Sequence, residues 1–160
     1  MHPNSLKLLR KFLKEHPADP AADRVLDVGS YDVNGTYRAD LEDYGYQYTG
    51  LDERAGPNVD LVMFKAPWVL DDPPYDLVVS GQTLEHCENP FELVYEMGRA
   101  LRQGGPLVLI APFQFPEHRF PIDCWRFLPD GMNILLKHAG CVPQDAFIHG
   151  EDCFAWGIKL

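Results

Sequence analysis

The chain has 160 residues, of which 46% are hydrophobic and 24% are charged, proportions that are typical of an ordinary globular protein. Its net charge of −10 opposes binding to nucleic-acid phosphates and to anionic membranes. No apolar stretch approaches the roughly 18 residues that a membrane-spanning helix needs. We therefore expect neither a nucleic-acid partner nor a membrane partner.

The cysteines point to a reducing compartment. Cys87, Cys124, Cys141 and Cys153 are widely and irregularly spaced, and no CxxC pair occurs. This spacing favours free thiols over a zinc site. The first residues lack the charged segment and hydrophobic core of a secretory signal, so we expect a cytoplasmic protein.

Helices and strands alternate along the chain. An N-terminal helix comes first, capped by Asn4-Ser5 and ended by Pro17 and Pro20, with an apolar face made of Leu6, Leu9, Phe12 and Leu13. The pattern then predicts strands at 24–28, 46–51, 59–63, 77–80, 107–111, 146–149 and 154–159. Further helices are predicted to begin at Asn34, at Asn89-Pro90 and at Pro129. Pro67, Pro73 and Pro74 leave little room for a helix before the fourth strand.

This order predicts an α/β fold. We expect a Rossmann-like, doubly wound, mostly parallel sheet with helices on both faces and an antiparallel last strand. A single domain over 1–160 would comprise an N-terminal helix in 1–20, a cofactor-binding half in 22–111 and a substrate-side half in 112–160.

The most informative motif is the segment 25–30, an apolar strand around Asp27 that ends at Gly29. A second acid, Asp52, closes the next apolar strand. Glycine lets the backbone approach a ligand closely, and an acid at the tip of the second strand can accept two hydrogen bonds from a ribose diol. The pair predicts a nucleoside-binding βαβ unit; the alternative is a strand that merely ends in a glycine turn.

The loop after Gly29 discriminates between nucleoside cofactors. It lacks the second and third glycines of a dinucleotide fingerprint, and Asp27 and Asp32 would place negative charge beside a diphosphate. S-adenosylmethionine instead carries a cationic tail, with an ammonium and a sulfonium. The sequence therefore favours S-adenosylmethionine as the cofactor over a nicotinamide dinucleotide.

The chain resembles class I S-adenosylmethionine-dependent methyltransferases of the broad group called type 11. The matching segments are 25–29, 50–52, 75–80 with Leu84-Glu85-His86, Asn89-Pro90 and 101–107, and the resemblance covers residues 22–140. It implies the fold, the activity and the cofactor. A further segment, 118–127, resembles a stretch found in bacterial members near glycan and small-molecule biosynthesis.

The resemblance also implies the cofactor contacts. These are Asp27, Val28, Gly29 and Ser30 at the methionine end, Asp52 at the ribose, Met63 and Phe64 beside the adenine, and Gly81 and Gln82 near the methionine part. Phe64 stands where many relatives carry an Asp that binds the adenine amino group. Either Phe64 packs on the purine, or the adenine pocket is degenerate.

The irregular segment 112–128 is predicted to wall the acceptor pocket, because ligands of open α/β sheets bind outside the carboxyl ends of the strands. Transfer to a hydroxyl often needs a base, and His86 and His118 are the candidates, although His86 could be purely structural. The candidate substrate-binding residues are Arg119, Asp123, Trp125 and Arg126, which could instead pair locally or cover the sheet edge. No metal-binding constellation stands out in the sequence.

These features predict methyl transfer to a small-molecule acceptor, preferably to oxygen, in a metabolite, sugar or natural-product intermediate. A non-catalytic partner subunit that binds S-adenosylmethionine is the alternative, and a nicotinamide-dependent oxidoreductase is disfavoured by the missing glycines. Little chain remains for a lid, so a homodimer could close the site.

Overall fold

The computed structural model describes residues 3–19, 23–63, 66–70 and 74–160. The strands are β1 (Arg24–Val28), β2 (Gln47–Asp52), β3 (Leu61–Val62), β4 (Leu77–Gly81), β5 (Pro106–Pro112), β6 (Cys141–His149) and β7 (Asp152–Lys159). The helices are α1 (Pro3–Glu15), α2 (Arg38–Asp43), α3 (Pro90–Ala100) and α4 (Pro129–His138), and a 3₁₀ turn covers Leu84–His86.

Within the described residues, the strands form one seven-stranded sheet in the order β3-β2-β1-β4-β5-β7-β6. Strands β1 to β5 pair in parallel, whereas β7 runs antiparallel to both of its neighbours. The predicted mostly parallel sheet with an antiparallel last strand is thus confirmed.

Helices cover both faces of the sheet, as predicted. On one face, α3 and α4 bury residues such as Val94, Met97 and Leu136 against β4 and β5. On the other face, α1 and α2 bury Leu9 and Leu41 against the same sheet. Because both faces are covered, β4 is buried along its whole length and β5 along all but its first residue, which explains why both strands are rich in apolar residues.

The second helix begins later than predicted, at Arg38 rather than at Asn34. The backbone N–H of Gly35 donates to Asp32 Oδ1 at 2.7 Å, and Gly35 has a φ of 119°. The Asp32 side chain therefore closes a turn over residues 32–35, and this turn takes the place of the first turn of the predicted helix.

Asn4 does not cap α1, because it lies inside the helix. Its side-chain amide instead donates to the His149 carbonyl at 2.7 Å and to Asp152 at 2.8 Å. The polar residue that the sequence offers as a cap therefore ties α1 to the turn between β6 and β7.

On α3, Phe91 is 45% exposed and packs on the His138 ring, while Val94 and Met97 supply the buried stripe. The third strand is limited to Leu61–Val62 instead of 59–63. Asp60, inside the predicted strand, contacts Gly50 of β2 in two ways: its backbone N–H donates to the Gly50 carbonyl at 2.8 Å, and its side chain accepts from the Gly50 backbone N–H.

The sheet order creates the crevice in which a site can form. Strands β1 and β4 are neighbours, and the chain continues from them toward opposite edges of the sheet. In open parallel sheets, ligands bind outside the carboxyl ends of the strands at such a reversal of strand order.

Candidate functional site

A cavity of about 810 Å³ lies at the carboxyl ends of β1, β2 and β4. Its volume is within the range of small-molecule and cofactor sites. Most of the residues predicted to bind the cofactor line it, namely Asp27, Val28, Gly29, Ser30, Asp52, Met63, Gly81 and Gln82. Phe64 lies outside the described residues.

Gly29 forms the turn that carries the backbone from β1 along the cavity. Its φ is 84°, and a Cβ built on it would lie 1.8 Å from Thr83 Oγ1. Its backbone N–H donates to the Leu51 carbonyl at 2.8 Å. A side chain at this position would therefore clash, and only glycine gives the close packing between the ends of β1 and β4.

Asp52 is fixed at the tip of β2 by backbone donors. Its Oδ2 accepts from the Tyr31 N–H at 3.1 Å, and its Oδ1 accepts from the Arg54 N–H at 3.3 Å. The side chain is partly buried and lines the cavity. A carboxylate held in this way can accept further hydrogen bonds from a diol.

Asp27 is a buried acid on the cavity wall. It is 2% exposed, and the Tyr48 hydroxyl donates to its Oδ2 at 2.6 Å. Loss of hydration outweighs this hydrogen bond and, together with the nearby Asp52, raises the pKa of Asp27 to about 7. A cationic ligand group beside Asp27 would favour its ionised form.

Two buried polar atoms of the lining have no hydrogen-bond partner within the described residues. They are Ser30 Oγ and Gln82 Oε1. Gln82 also has a φ of 59°, and its Nε2 donates to Asp152 Oδ1 at 2.9 Å, which fixes the amide. Buried polar groups without partners are costly, so these two atoms fit the donors and acceptors of a bound ligand.

The wall beside β3 contains Met63, whose backbone N–H donates to the Asp52 carbonyl at 3.0 Å. Ala66 and Trp68 also line this wall, and Trp68 is 8% exposed. Sequence reasoning missed Trp68, because the proline-rich segment around it carries no periodic pattern.

His86 and His118 come together on the opposite wall, with ring centroids 4.9 Å apart. The Nδ1–H of His86 donates to the Ile122 carbonyl at 2.6 Å, which leaves Nε2 as its unprotonated nitrogen. Burial lowers the pKa of His86, with a smaller lowering from His118. The structure thus brings both predicted base candidates to one place.

Glu85 joins these histidines, and sequence reasoning did not single it out. It is fully buried, and neither carboxylate oxygen has a hydrogen-bond partner within the described residues. Burial raises its pKa to about 8. One ligand atom each from Glu85, His86 and His118 lies within 4.8 Å of the others, although the sequence shows no metal constellation. The adjacent acid and histidine of Leu84-Glu85-His86 were the available signal.

The predicted substrate-binding residues separate into two groups. Arg119 lines the cavity and pairs with Glu117 at 2.7 Å. Asp123, Trp125 and Arg126 do not belong to the lining that the structure describes.

These three side chains brace the segment 113–128. Arg126 contacts both carboxylate oxygens of Asp123, at 2.6 and 2.8 Å, and holds the pKa of Asp123 well below its usual range. Trp125 Nε1 donates to the Cys87 carbonyl at 2.7 Å. Their polar groups thus have partners within the protein, and their contact with a substrate stays a prediction.

Aromatic and cationic side chains form a rim between the two walls. The guanidinium of Arg54 lies 4.9 Å from the Phe120 ring and 5.6 Å from the Tyr31 ring. All three residues line the cavity. They come from three separate loops, so no local sequence pattern could have grouped them.

All four cysteines are free, as the sequence predicts. Among the described helices, none combines the length and the apolar composition needed to cross a bilayer.

The chain matches a family model described as "Methyltransferase domain" over residues 26–109. No curated protein sequence matches the chain significantly.

Solved methyltransferases have a similar fold. One is 1,6-didemethyltoxoflavin-N1-methyltransferase from Burkholderia thailandensis, bound to 1,6-didemethyltoxoflavin and S-adenosylhomocysteine, with a TM-score of 0.73, 17% identity and coverage of 97% of this chain and 78% of that chain. Another is magnesium protoporphyrin IX methyltransferase from Synechocystis with bound S-adenosylhomocysteine, with a TM-score of 0.70, 14% identity and coverage of 98% and 83%. The cyclase SpnF is also similar, with a TM-score of 0.71, 16% identity and coverage of 95% and 80%. At these identities, the similarity shows the fold alone.

Proposed function

Because the chain belongs to the methyltransferase-domain family, we propose that it transfers a methyl group from S-adenosylmethionine to a small-molecule acceptor. The observation that carries this proposal is the cavity at the carboxyl ends of β1, β2 and β4. It combines the Gly29 turn, the Asp52 carboxylate and the unpartnered atoms Ser30 Oγ and Gln82 Oε1.

The lining suits the separate parts of the cofactor. Asp52 would accept the ribose hydroxyls, and the Gly29 turn with Gln82 would hold the methionine end. Met63 and Trp68 provide apolar surface for the adenine. When bound, S-adenosylmethionine supplies a methyl group that is activated by its sulfonium.

Electrostatics favour a cationic tail over a diphosphate. Asp27 and Asp52 both border the cavity, so a diphosphate would meet two acids there. The two similar methyltransferases described above were solved with S-adenosylhomocysteine, which supports S-adenosylmethionine as the cofactor here.

The acceptor is proposed to be a small molecule. The cofactor and the acceptor would share about 810 Å³, which leaves no room for a folded macromolecular substrate inside the cavity. The net charge of −10 further disfavours nucleic acid. Arg119 and Phe120 in the lining offer a cation and an aromatic face to such a molecule.

We favour oxygen as the acceptor atom, because His86 and His118 lie together in the lining and can receive or direct a hydroxyl proton. The chain's own contribution is otherwise alignment of the acceptor with the methyl group, the main requirement of an in-line displacement. We also favour a cytoplasmic location, since four free cysteines fit a reducing compartment.

Isothermal titration calorimetry tests the cofactor assignment. We expect S-adenosylmethionine and S-adenosylhomocysteine to bind, and Asp52→Ala to weaken binding by about 1–3 kcal/mol through lost hydrogen bonds to a charged group. Asp43→Ala, at the exposed end of α2, removes the same charge and should leave the affinity unchanged. Unchanged affinity in Asp52→Ala would contradict the ribose contact.

Turnover over a panel of hydroxylated metabolites, followed by mass spectrometry, tests catalysis separately. A methylated product supports the proposal. Cofactor binding without turnover across the panel would instead favour a non-catalytic partner subunit, and binding of NAD in place of S-adenosylmethionine would overturn the cofactor assignment.

A further inference from the structure

We propose that Glu85, His86 and His118 bind a divalent transition-metal ion on the acceptor side of the cavity. Each residue offers one ligand atom, and these atoms lie within 4.8 Å of one another. His86 and His118 both line the cavity, so an ion held between them would border the space proposed for the acceptor.

Glu85 provides the first argument. Its carboxylate is fully buried, yet neither oxygen has a hydrogen-bond partner within the described residues. The Oε1 atom lies 3.7 Å from His86 Nε2, which is too long for a hydrogen bond. Two ligands of one tetrahedral zinc ion are about 3.4 Å apart, so this spacing is close to that of a ligand pair.

The orientation of His86 provides the second argument. Its Nδ1–H donates to the Ile122 carbonyl at 2.6 Å, so Nε2 carries the lone pair and lies near Glu85. Histidines that bind metals usually donate their other ring N–H to a carbonyl or carboxylate, which fixes the ring and its tautomer. His86 already has this outer contact.

His118 is held in place by the segment that carries it. Its backbone N–H donates to Asp123 Oδ2 at 2.8 Å, and its ring Nδ1 lies 3.2 Å from the Pro116 carbonyl and 3.5 Å from Asp123. Arg126 in turn holds Asp123 through two contacts. This chain of contacts keeps the ring of His118 beside His86.

The donor set selects the kind of ion. Two imidazoles and one carboxylate suit Zn²⁺, Fe²⁺, Co²⁺ or Ni²⁺, whereas Mg²⁺ and Ca²⁺ prefer sites made of oxygen ligands. Three protein ligands also leave coordination positions that an acceptor oxygen could occupy. If the proposed function holds, the acceptor class narrows to molecules with a metal-binding hydroxyl. The ion would make the proton of this hydroxyl easier to lose to solvent, and it would replace His86 and His118 as the group that activates the hydroxyl.

Titration with Co²⁺ tests the site without a cofactor or an acceptor. Tag-free protein is stripped with a chelator, dialysed and titrated with CoCl₂ while its visible absorption is recorded. We expect a d–d absorption that saturates at one equivalent. Glu85→Gln and His118→Ala should each weaken the affinity for Co²⁺ by at least about tenfold.

His138→Ala is the matched control, because His138 packs against Phe91 and Tyr95 on α3 and does not line the cavity. It should retain the affinity of the parent protein. Glu85→Gln keeps the shape of the side chain, so it remains informative if His118→Ala fails to fold.

Two results would overturn the proposal: no saturable Co²⁺ absorption in the parent protein, or unchanged affinity in folded Glu85→Gln. Calorimetry with S-adenosylhomocysteine on the same samples separates the two proposals. Cofactor binding without cobalt binding contradicts only the metal site, and the reverse result contradicts only the proposed function.

Discussion

At the residue scale, the site contains several polar groups that are buried but lack hydrogen-bond partners among the described residues. Ser30 Oγ, Gln82 Oε1 and the Glu85 carboxylate have no hydrogen-bond partner within the described residues. Each such group costs on the order of 1–3 kcal/mol in a folded protein. Their grouping at one end of the sheet indicates that binding, rather than stability, explains their presence.

Asp27 makes stability depend on pH. The pKa of Asp27 is raised from an unfolded value of about 3.9 to about 7 by burial. The folded state therefore binds this proton more tightly, and the resulting stabilisation is present below about pH 4 and is lost as the pH rises through 7. When the pH is raised from 5 to 9, the free energy of unfolding should therefore fall by about 2–3 kcal/mol less in Asp27→Asn than in the parent protein.

Urea denaturation at the two pH values measures this difference. Asp43→Asn changes the net charge by the same amount at an exposed position and serves as the control. If Asp27→Asn lost as much stability as the parent protein, the buried acid would not be the source of the pH dependence.

At the element scale, the segment 113–128 is irregular but tightly anchored. Arg126 donates to the carbonyls of Phe115, Pro116 and Trp125 in addition to its contacts with Asp123. The backbone N–H of Cys124 donates to the Glu85 carbonyl at 2.7 Å. The segment thus supports His118 through side chains that the sequence suggested as substrate contacts.

Arg126→Ala should loosen this segment without unfolding the sheet. It leaves the Asp123 carboxylate, 2% exposed, without its cationic partner. The variant lacks the hydrogen bonds of the Arg126 side chain, so local opening of the segment costs less free energy. We therefore expect amide hydrogen exchange in 115–124 to accelerate by about tenfold or more. Mass spectrometry of exchanged peptides provides the measurement.

Arg119→Ala removes an exposed ion pair from the same segment and should leave the exchange rates unchanged. Equal effects of the two substitutions would show that Arg126 has no special role in holding the segment.

At the scale of the whole molecule, the segment 113–128 is the longest stretch without a helix or strand among the described residues, and part of it lines the cavity. Methyl transfer gains from exclusion of water, so a second copy of the chain could complete the cover. A homodimer therefore stays our prediction. Light scattering should give twice the 18.2 kDa chain mass, and a monomer mass at all working concentrations would rule it out.

Local sequence patterns were sufficient to predict much of the fold and most of the residues that line the cofactor side of the cavity. The apolar strands, the Asn89-Pro90 helix start and the glycine turn at Gly29 are set by residues close together in the chain. For the same reason, the placement of Gly29 and Asp52 at the ends of two neighbouring parallel strands could be predicted. These features depend on periodicity and on backbone conformation, both of which a sequence displays directly.

The acceptor side was decided by tertiary structure. Glu85 and His86 follow β4, whereas His118 follows β5, and the parallel pairing of these two strands brings the three side chains together. Glu85 is buried, and Arg126 lies outside the described cavity lining. Both facts depend on contacts between residues far apart in the chain. Such contacts leave no local period in the sequence, so only the folded arrangement distinguishes a ligand-binding side chain from one that supports its neighbour.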